Sequence, residues 1–212
     1  MPAYSARMGR SRNGGFTLLE LMITLALAAI LVTLAVPNMR DFMRNSRLAG
    51  AGNDLLHSLN LARTEAIKRQ TGNVVVCATA DPTAGDNSIS CSYGPFQGWF
   101  VFHDANGNWQ HDSGEAVLER HALVDSTVTV NSDHDGIVSY APTGFANPAA
   151  ARTPTANLVL CDHRGNTAVG TNSTARAMFI TATGRARVSQ LKTDVDAATA
   201  NITAGGGSVS CP

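Results

Sequence analysis

The sequence lacks the short motifs that mark common enzymes and metal sites. It contains no GxSxG, no P-loop and no HExxH, and its four cysteines show neither a CxxC pair nor a Cys/His spacing. Its six histidines are scattered, and His134, which stands between two aspartates, is more typical of a turn than of an acid–base site. No cysteine has a dedicated base. The sequence therefore predicts a protein that is not an enzyme and that holds no cofactor and no metal.

Charge is almost absent from one long stretch near the N-terminus. From Phe16 to Val36 the only ionisable side chain is Glu20. A helix of about 20 apolar residues crosses a hydrocarbon core of roughly 30 Å. The small pair Gly14-Gly15 stands before this run, whereas a secretory signal is cut after its apolar region. Cleavage at Gly15 would leave the apolar helix on the mature protein. The residues that make the preceding leader basic are Arg7, Arg10 and Arg12.

Glu20 needs a partner if the apolar helix is surrounded by lipid or by other helices. A carboxylate near a bilayer interior costs about 2.5–3.5 kcal/mol on insertion scales. Cleavage after Gly15 would create a new α-amine on Phe16, four residues before Glu20. That amine, on the same chain or on a neighbouring one, is the natural counter-charge.

The stretch GGFTLLELMITLALAAILVTLAVP resembles the N-terminal signature of type IV prepilins and pseudopilins. In that family a dedicated peptidase cuts after the glycine and methylates the new N-terminal residue, and the glutamate guides the subunit into a helical fibre. The resemblance assigns processing to Gly15 and Phe16, and assembly to Glu20. It also makes Pro37 the proline that kinks the helix without ending it. The alternative is an ordinary membrane anchor with a chance glutamate.

The remainder of the N-terminal helix carries one apolar stripe at steps of three and four residues. Its members are Leu48, Leu55, Leu59, Ala62 and Ala66. We therefore expect a cleaved leader over 1–15 and a transmembrane or fibre-core helix over 16–37. The amphipathic second half of the same helix is expected over 38–72, and a β domain over 73–212.

Short segments rich in β-branched and aromatic residues, with turn residues between them, follow the helix. The predicted strands are 73–78, 98–102, 116–118, 127–130, 137–140, 158–161 and 177–181. The tail over 197–208 is small and polar, and we expect it to be disordered unless Cys211 anchors it. The predicted fold class is α+β, with a long N-terminal helix packed on a mostly antiparallel β-sheet domain.

The four cysteines predict two disulfides in an exported domain, although four cysteines allow three connectivities. We expect Cys77–Cys91 and Cys161–Cys211, because each bond joins neighbours in the sequence. Both require an oxidising compartment. Arginines flank the apolar run on both sides, so the positive-inside rule gives no orientation. The cysteines and the leader then predict a single-pass protein of the bacterial inner membrane, with its C-terminal domain in the periplasm before it enters a fibre.

Several stretches of the domain are similar to the GspH/FimT group of this family. They are residues 98–104, 113–118, 160–162, 175–177 and 183–188. The resemblance implies a minor, low-abundance component of pili or secretion pseudopili. Its implied partners are other major and minor pilins, the prepilin peptidase and, before assembly, the inner membrane.

The net charge of zero hides an uneven distribution of charge along the domain. Between residues 73 and 144 the only basic residue is Arg120, against nine acidic ones. From residue 145 onward there are six basic residues and three acidic ones. The chain therefore has an acidic middle and a basic end.

The element Gly184-Arg185-Ala186-Arg187 resembles the GRxR motif through which FimT-type minor pilins bind DNA during uptake for natural transformation. Guanidinium groups donate to phosphate oxygens in pairs, and Gly184 would let the backbone turn closely beside the ligand. We expect Arg176 and Lys192 to join this site only by proximity in sequence. The alternatives are arginines that pair with acidic residues of the same domain, a structural FimU-like minor pilin, and a GspH-like pseudopilin of type II secretion.

A polar segment over 104–115 partly matches an EF-hand calcium loop. Its oxygen-bearing residues at the matching positions are Asp104, Asn106, Asn108, Asp112 and Glu115. Trp109 stands where the loop requires glycine, and the flanking segments are predicted strands rather than helices. A polar hairpin turn explains the same residues, so we expect no metal there.

Overall fold

The computed structural model describes residues 15–92, 96–123, 127–147, 155–205, 209 and 211. The chain divides into two compact units, residues 1–43 and residues 44–212. Of the predicted leader, only Gly15 lies within the described residues.

The first unit consists of the N-terminal part of helix α1 (Leu18–Arg69) and the residues just before it. The Thr17 hydroxyl accepts a hydrogen bond from the backbone N–H of Glu20 at 3.2 Å, so Thr17 caps the helix. The helix continues through Pro37. The large apolar side chains that the structure describes between Phe16 and Met43 are exposed. By its length and composition, α1 is able to cross a membrane.

In the second unit, the later part of α1 buries the predicted apolar stripe. Leu48, Leu59 and Ala62 have no exposed surface, and Leu55 and Ala66 are nearly as buried. On the flank of this stripe, the carboxylate of Glu65 accepts from Lys68 at 3.0 Å and from Arg69 at 3.2 Å. The helix ends at Arg69, three residues before the predicted limit, because Gln70 turns into the left-handed region with φ 58°.

Within the described residues the strands form two antiparallel sheets. The first sheet has the order β3-β2-β1-β5 and consists of β1 (Asn73–Thr79), β2 (Gly98–Asp104), β3 (Val117–Ala122) and β5 (Ile137–Tyr140). The second has the order β4-β6-β8-β7, with β9 also paired to β8, and consists of β4 (Thr129–Ser132), β6 (Ala156–Cys161), β7 (Ala168–Val169), β8 (Asn172–Ile180) and β9 (Ala186–Leu191).

The main core lies between the α1 stripe and one face of each sheet. Val76 and Val101 come from the first sheet, and Leu158, Leu160 and Met178 from the second. Alternate residues of β6 and β8, among them Val159 and Ala177, face the other side of the second sheet, since side chains alternate along a strand. The domain is therefore layered, and the α+β fold class with antiparallel sheets is confirmed.

A second helix, α2 (Lys192–Ala204), was not predicted for the C-terminal tail. Residues 197–204 are helical in the chain whose Cys211 is bonded to Cys161. The helix buries Val195, Ala198 and Ile202 against the outer face of the second sheet. This spacing of three and four residues is a helical stripe that the small, polar composition of the tail conceals.

The other strand predictions differ from the structure mainly at their ends. The prediction for 137–140 matches β5, and those for 73–78, 98–102 and 158–161 fall inside β1, β2 and β6. β4 begins two residues later than predicted, and β8 begins five residues earlier. Neither β7 nor β9 is among the predicted strands, and β9 includes residues 186 and 187 of the GRxR element.

All four cysteines form disulfide bonds. The pairs are Cys77–Cys91 and Cys161–Cys211, as expected from their order in the sequence. The second bond joins the end of β6 to the residues that follow α2, and Val209 and Cys211 pack against the apolar face of that helix.

Candidate functional sites

The predicted processing and assembly residues lie at the start of α1, in the first unit. A side chain added at Gly15 would meet no atom within 4 Å, and Phe16 is 85% exposed. Glu20 is also exposed and lies in the first turn of the helix. Gly14 lies outside the described residues. The peptide bond after Gly15 is thus accessible, and the helix behind it presents an apolar surface.

The predicted GRxR element lies where β8 turns into β9. Gly184 has φ +77°, which favours glycine, and its N–H bonds to the carbonyl of Thr181 at 2.8 Å. A Cβ at this position would lie 2.1 Å from the carbonyl oxygen of Gly144. The close approach that requires glycine at this position is therefore to another turn of the same domain.

Arg185 and Arg187 are both exposed, but their surroundings differ. Arg187 donates to the Asp194 carboxylate at 3.2 Å, and its guanidinium lies 4.2 Å from the ring centre of Phe179. Arg185 makes no ion pair with any residue that the structure describes. Asp194, in the first turn of α2, has a lowered pKa because Ser189 and Arg187 hydrogen-bond to it. Arg187 is thus partly neutralised, whereas Arg185 has no carboxylate partner in the part of the chain that the structure describes.

Lys192 and Arg176 do not form one cluster with Arg185. Lys192 donates to the Asp196 carboxylate at 2.5 Å, within the first turns of α2. Arg176 is half-buried, and its guanidinium donates to the carbonyls of Ser173 and Ala175 at 3.2 and 3.1 Å. Desolvation lowers the pKa of Arg176.

The position of Arg176 on its strand explains this separation. It lies four residues before the end of β8, which is roughly 13 Å along a strand. It also alternates with Ala177 and Phe179, so it points to the opposite face of the sheet from Phe179 and its partner Arg187. Of the five residues expected to form the DNA site, the structure therefore brings together those of the turn that carries Gly184, Arg185 and Arg187, but not Arg176 and Lys192.

A second turn, which was not predicted from the sequence, packs against the GRxR turn. Residues 141–146 read Ala-Pro-Thr-Gly-Phe-Ala, and residues 181–186 read Thr-Ala-Thr-Gly-Arg-Ala. In each, the glycine N–H bonds to the carbonyl of the first residue at 2.8 Å. The first residue's N–H bonds to the carbonyl of the fifth, at 3.0 and 2.9 Å respectively. We call these two segments the twin turns; their shared Thr-Gly-x-Ala pattern was the signal available in the sequence.

Arg63 of α1 joins the twin turns. Its Nε donates to the carbonyl of Gly144 at 2.9 Å, and its Nη2 donates to the carbonyl of Thr183 at 3.1 Å. The N–H of Ala146 also bonds to the carbonyl of Ala182 at 3.1 Å. One guanidinium and one backbone hydrogen bond thus hold both turns in a fixed relation to the helix.

The loop between β2 and β3 uses its polar side chains to hold its own backbone. Asp104 is fully buried and accepts from the N–H groups of Gly107, Asn108 and Trp109 at 2.7–3.2 Å. Glu115 accepts from two further backbone N–H groups, and Asp112 accepts from the amides of Asn106 and Asn108. Across the described residues, no group of three or more His, Cys, Asp or Glu side chains is arranged to hold a metal ion.

Comparisons with known proteins found two matching family models and similar solved structures. The family model described as "Type II transport protein GspH" matches residues 51–202, and the "Prokaryotic N-terminal methylation motif" matches residues 10–36. Two crystal forms of the type IV minor pilin FimU from Pseudomonas aeruginosa are similar in structure, with 17% and 18% identity and TM-scores of 0.47 and 0.45. These alignments cover 70% and 67% of this chain and 92% of FimU in both cases. No curated protein matches the sequence.

Proposed function

The chain belongs to the GspH family of pilin-like subunits, and on that basis we propose that it is a FimT-like minor pilin that enters a type IV pilus and binds DNA. The observation that carries its role as a fibre subunit is the exposed apolar surface of α1 directly behind Gly15, within the matched methylation motif. Such a surface needs lipid before assembly and neighbouring helices afterwards.

The proposed maturation starts at the accessible bond after Gly15. A prepilin peptidase removes the leader and methylates Phe16, which leaves α1 as the anchor. Glu20 then pairs with the amine of Phe16, on its own chain or on a neighbour, because a lone carboxylate among apolar helices is costly. Before assembly the domain lies on the periplasmic side of the inner membrane, where its two disulfides form.

The proposed DNA contact is the turn that carries Gly184, Arg185 and Arg187. Its support is the exposed guanidinium of Arg185, without a carboxylate partner among the described residues, two positions from the exposed Arg187. Arg187 would exchange Asp194 for a phosphate oxygen, which reduces its net contribution. Contacts of this kind go to phosphates rather than to bases, so the binding does not depend on sequence and weakens as salt rises.

Titration of duplex DNA with the full chain in non-ionic detergent, over a series of salt concentrations, tests this function. We expect the Arg185→Ala/Arg187→Ala double variant to bind at least about tenfold more weakly at low salt, because hydrogen bonds to charged groups contribute about 1.5–3 kcal/mol each. The Lys68→Ala/Arg69→Ala double variant is the matched control, since it removes two positive charges from the last turn of α1. It should bind like the wild type.

Two results would contradict DNA binding. One is the absence of binding at low salt by a chain whose circular dichroism shows it to be folded. The other is equal loss of affinity in both double variants, which would indicate a general effect of net charge. Either result would favour a structural minor pilin or a pseudopilin of type II secretion, the process for which the family model is named.

A further inference from the structure

The twin turns present an aromatic ring and a guanidinium at equivalent positions. The fifth residue is Phe145 in one turn and Arg185 in the other, and both follow a glycine with φ +77°. In each turn the third and fifth residues are exposed and the glycine between them is buried. Because the two glycines lie in contact, Phe145 and Arg185 flank one junction on the surface.

Phe145 is unusually exposed for this domain. Its exposed fraction is 53%, and it is the only strongly exposed aromatic side chain among the described residues of the second unit. Ile67, 45% exposed, reaches the same junction, since its Cδ1 would lie 2.7 Å from a Cβ at Gly144. An apolar patch therefore adjoins Arg185 of the GRxR turn.

The charge around this patch favours a nucleic acid over a protein surface. Neither twin turn contains a carboxylate, although the middle of the sequence is acidic. Arg63, whose guanidinium joins the turns, adds a second positive charge beneath them. Exposed threonines, Thr143 and Thr183, stand beside the two glycines and can donate to phosphate oxygens.

We propose that the twin turns form a platform for single-stranded DNA, on which Phe145 stacks against an unpaired base while Arg185 binds a neighbouring phosphate. This inference depends on the proposed DNA binding and specifies the form of DNA that the site prefers. Inside a duplex the faces of the bases are covered by their neighbours, so a phenyl ring finds a free face only on a single strand or at an end. Stacking of this kind tolerates every base, in agreement with binding that is independent of sequence.

The test compares a fluorescent oligothymidine with a duplex of the same length, using anisotropy of the full chain in non-ionic detergent at one low salt concentration. We expect Phe145→Ala to weaken single-strand binding about five- to 150-fold, the range for loss of one base–aromatic stack, and to leave duplex binding unchanged. Phe145→Trp should retain single-strand binding. Arg185→Ala should weaken both, because phosphates are common to the two ligands.

Val169→Ala is the matched control, since it truncates another exposed apolar side chain, 62% exposed, in β7. It should bind both ligands like the wild type. A Phe145→Ala variant that keeps its single-strand affinity, or that loses both affinities equally, would overturn the platform while leaving DNA binding intact. If the Phe145→Ala variant binds DNA normally but does not enter fibres, Phe145 contacts a neighbouring subunit instead, and the platform is overturned. Absence of all DNA binding in the wild type would instead reject the proposed function itself.

Discussion

At the scale of single residues, two arginines of the same motif have different roles. The alternation of side chains predicts that Arg185 and Arg187 point the same way, but it contains no information about their partners. Arg187 is paired because α2 brings Asp194 to it, and that helix was not predicted from the sequence. Whether Arg187 is available to bind phosphate thus depends on helix α2, whose composition did not indicate a helix.

Gly184 provides the sharpest prediction at this scale. Gly184→Ala should destabilise the domain more than Gly170→Ala, although both glycines have positive φ, +77° and +63°. A left-handed backbone alone costs an L-residue about 1–2 kcal/mol. Only at Gly184 does the new Cβ also meet a carbonyl oxygen, that of Gly144, whereas Gly170 has open space.

Thermal unfolding of the two variants as full chains in detergent, followed by circular dichroism, measures this difference. Equal decreases in Tm would show that the contact between the twin turns contributes nothing beyond the backbone conformation of each glycine.

At the scale of secondary-structure elements, the sequence predicts the helices and strands whose apolar residues recur with a clear period. The α1 stripe and strands β1, β2, β5 and β6 follow from apolar spacing and β-branched composition. The two-residue strand β7 is too short to have a pattern of its own. In α2, alanine, threonine and aspartate dominate, Leu191 provides no side-chain cap, and packing against the sheet decides the structure.

Truncation of the buried face of α2 tests that explanation. Ile202→Ala should reduce the free energy of unfolding by about 2–5 kcal/mol, because Ile202 is fully buried beneath the helix. Thr203→Ala, at the adjacent exposed position, is the control and should change it little. Urea unfolding of both variants measures the two values; similar small changes would mean that α2 is only loosely attached to the sheet.

At the scale of the whole molecule, the two units differ in what stabilises them. The domain has its own core, two disulfides and a largely buried ion pair between Asp162 and Arg164, whereas the first unit exposes its apolar side chains. The sequence contains one long run whose only ionisable residue is Glu20, and its four cysteines all follow that run. It does not predict the contact of the twin turns, which depends on tertiary packing between β5, β8 and α1.

The domain should lose stability in acid through its buried aspartates. Burial raises the pKa of Asp162, but hydrogen bonds from Arg164 outweigh this effect, so the net pKa lies below the usual value. A lowered pKa in the folded state stabilises the fold above the unfolded pKa, about 3.9 for aspartate. This contribution is lost as the pH falls through the folded pKa.

The Asp162→Asn variant isolates that contribution, because it removes the titrating group. Its free energy of unfolding should lie below that of the wild type at neutral pH, and the difference should shrink as the pH falls below about 4. Urea unfolding at a series of pH values measures both curves; a difference that is constant with pH would exclude Asp162 as an acid-sensitive group.

The most direct test of the account is mass spectrometry of the N-terminal peptide of the chain, isolated from fibres sheared off the cell surface. The account predicts a peptide that begins at an N-methylated Phe16, since the accessible bond after Gly15 precedes an apolar helix within the matched methylation motif. Fibres without this chain, together with a membrane-bound chain that still contains residues before Phe16, would contradict its identification as a processed and assembled pilin subunit.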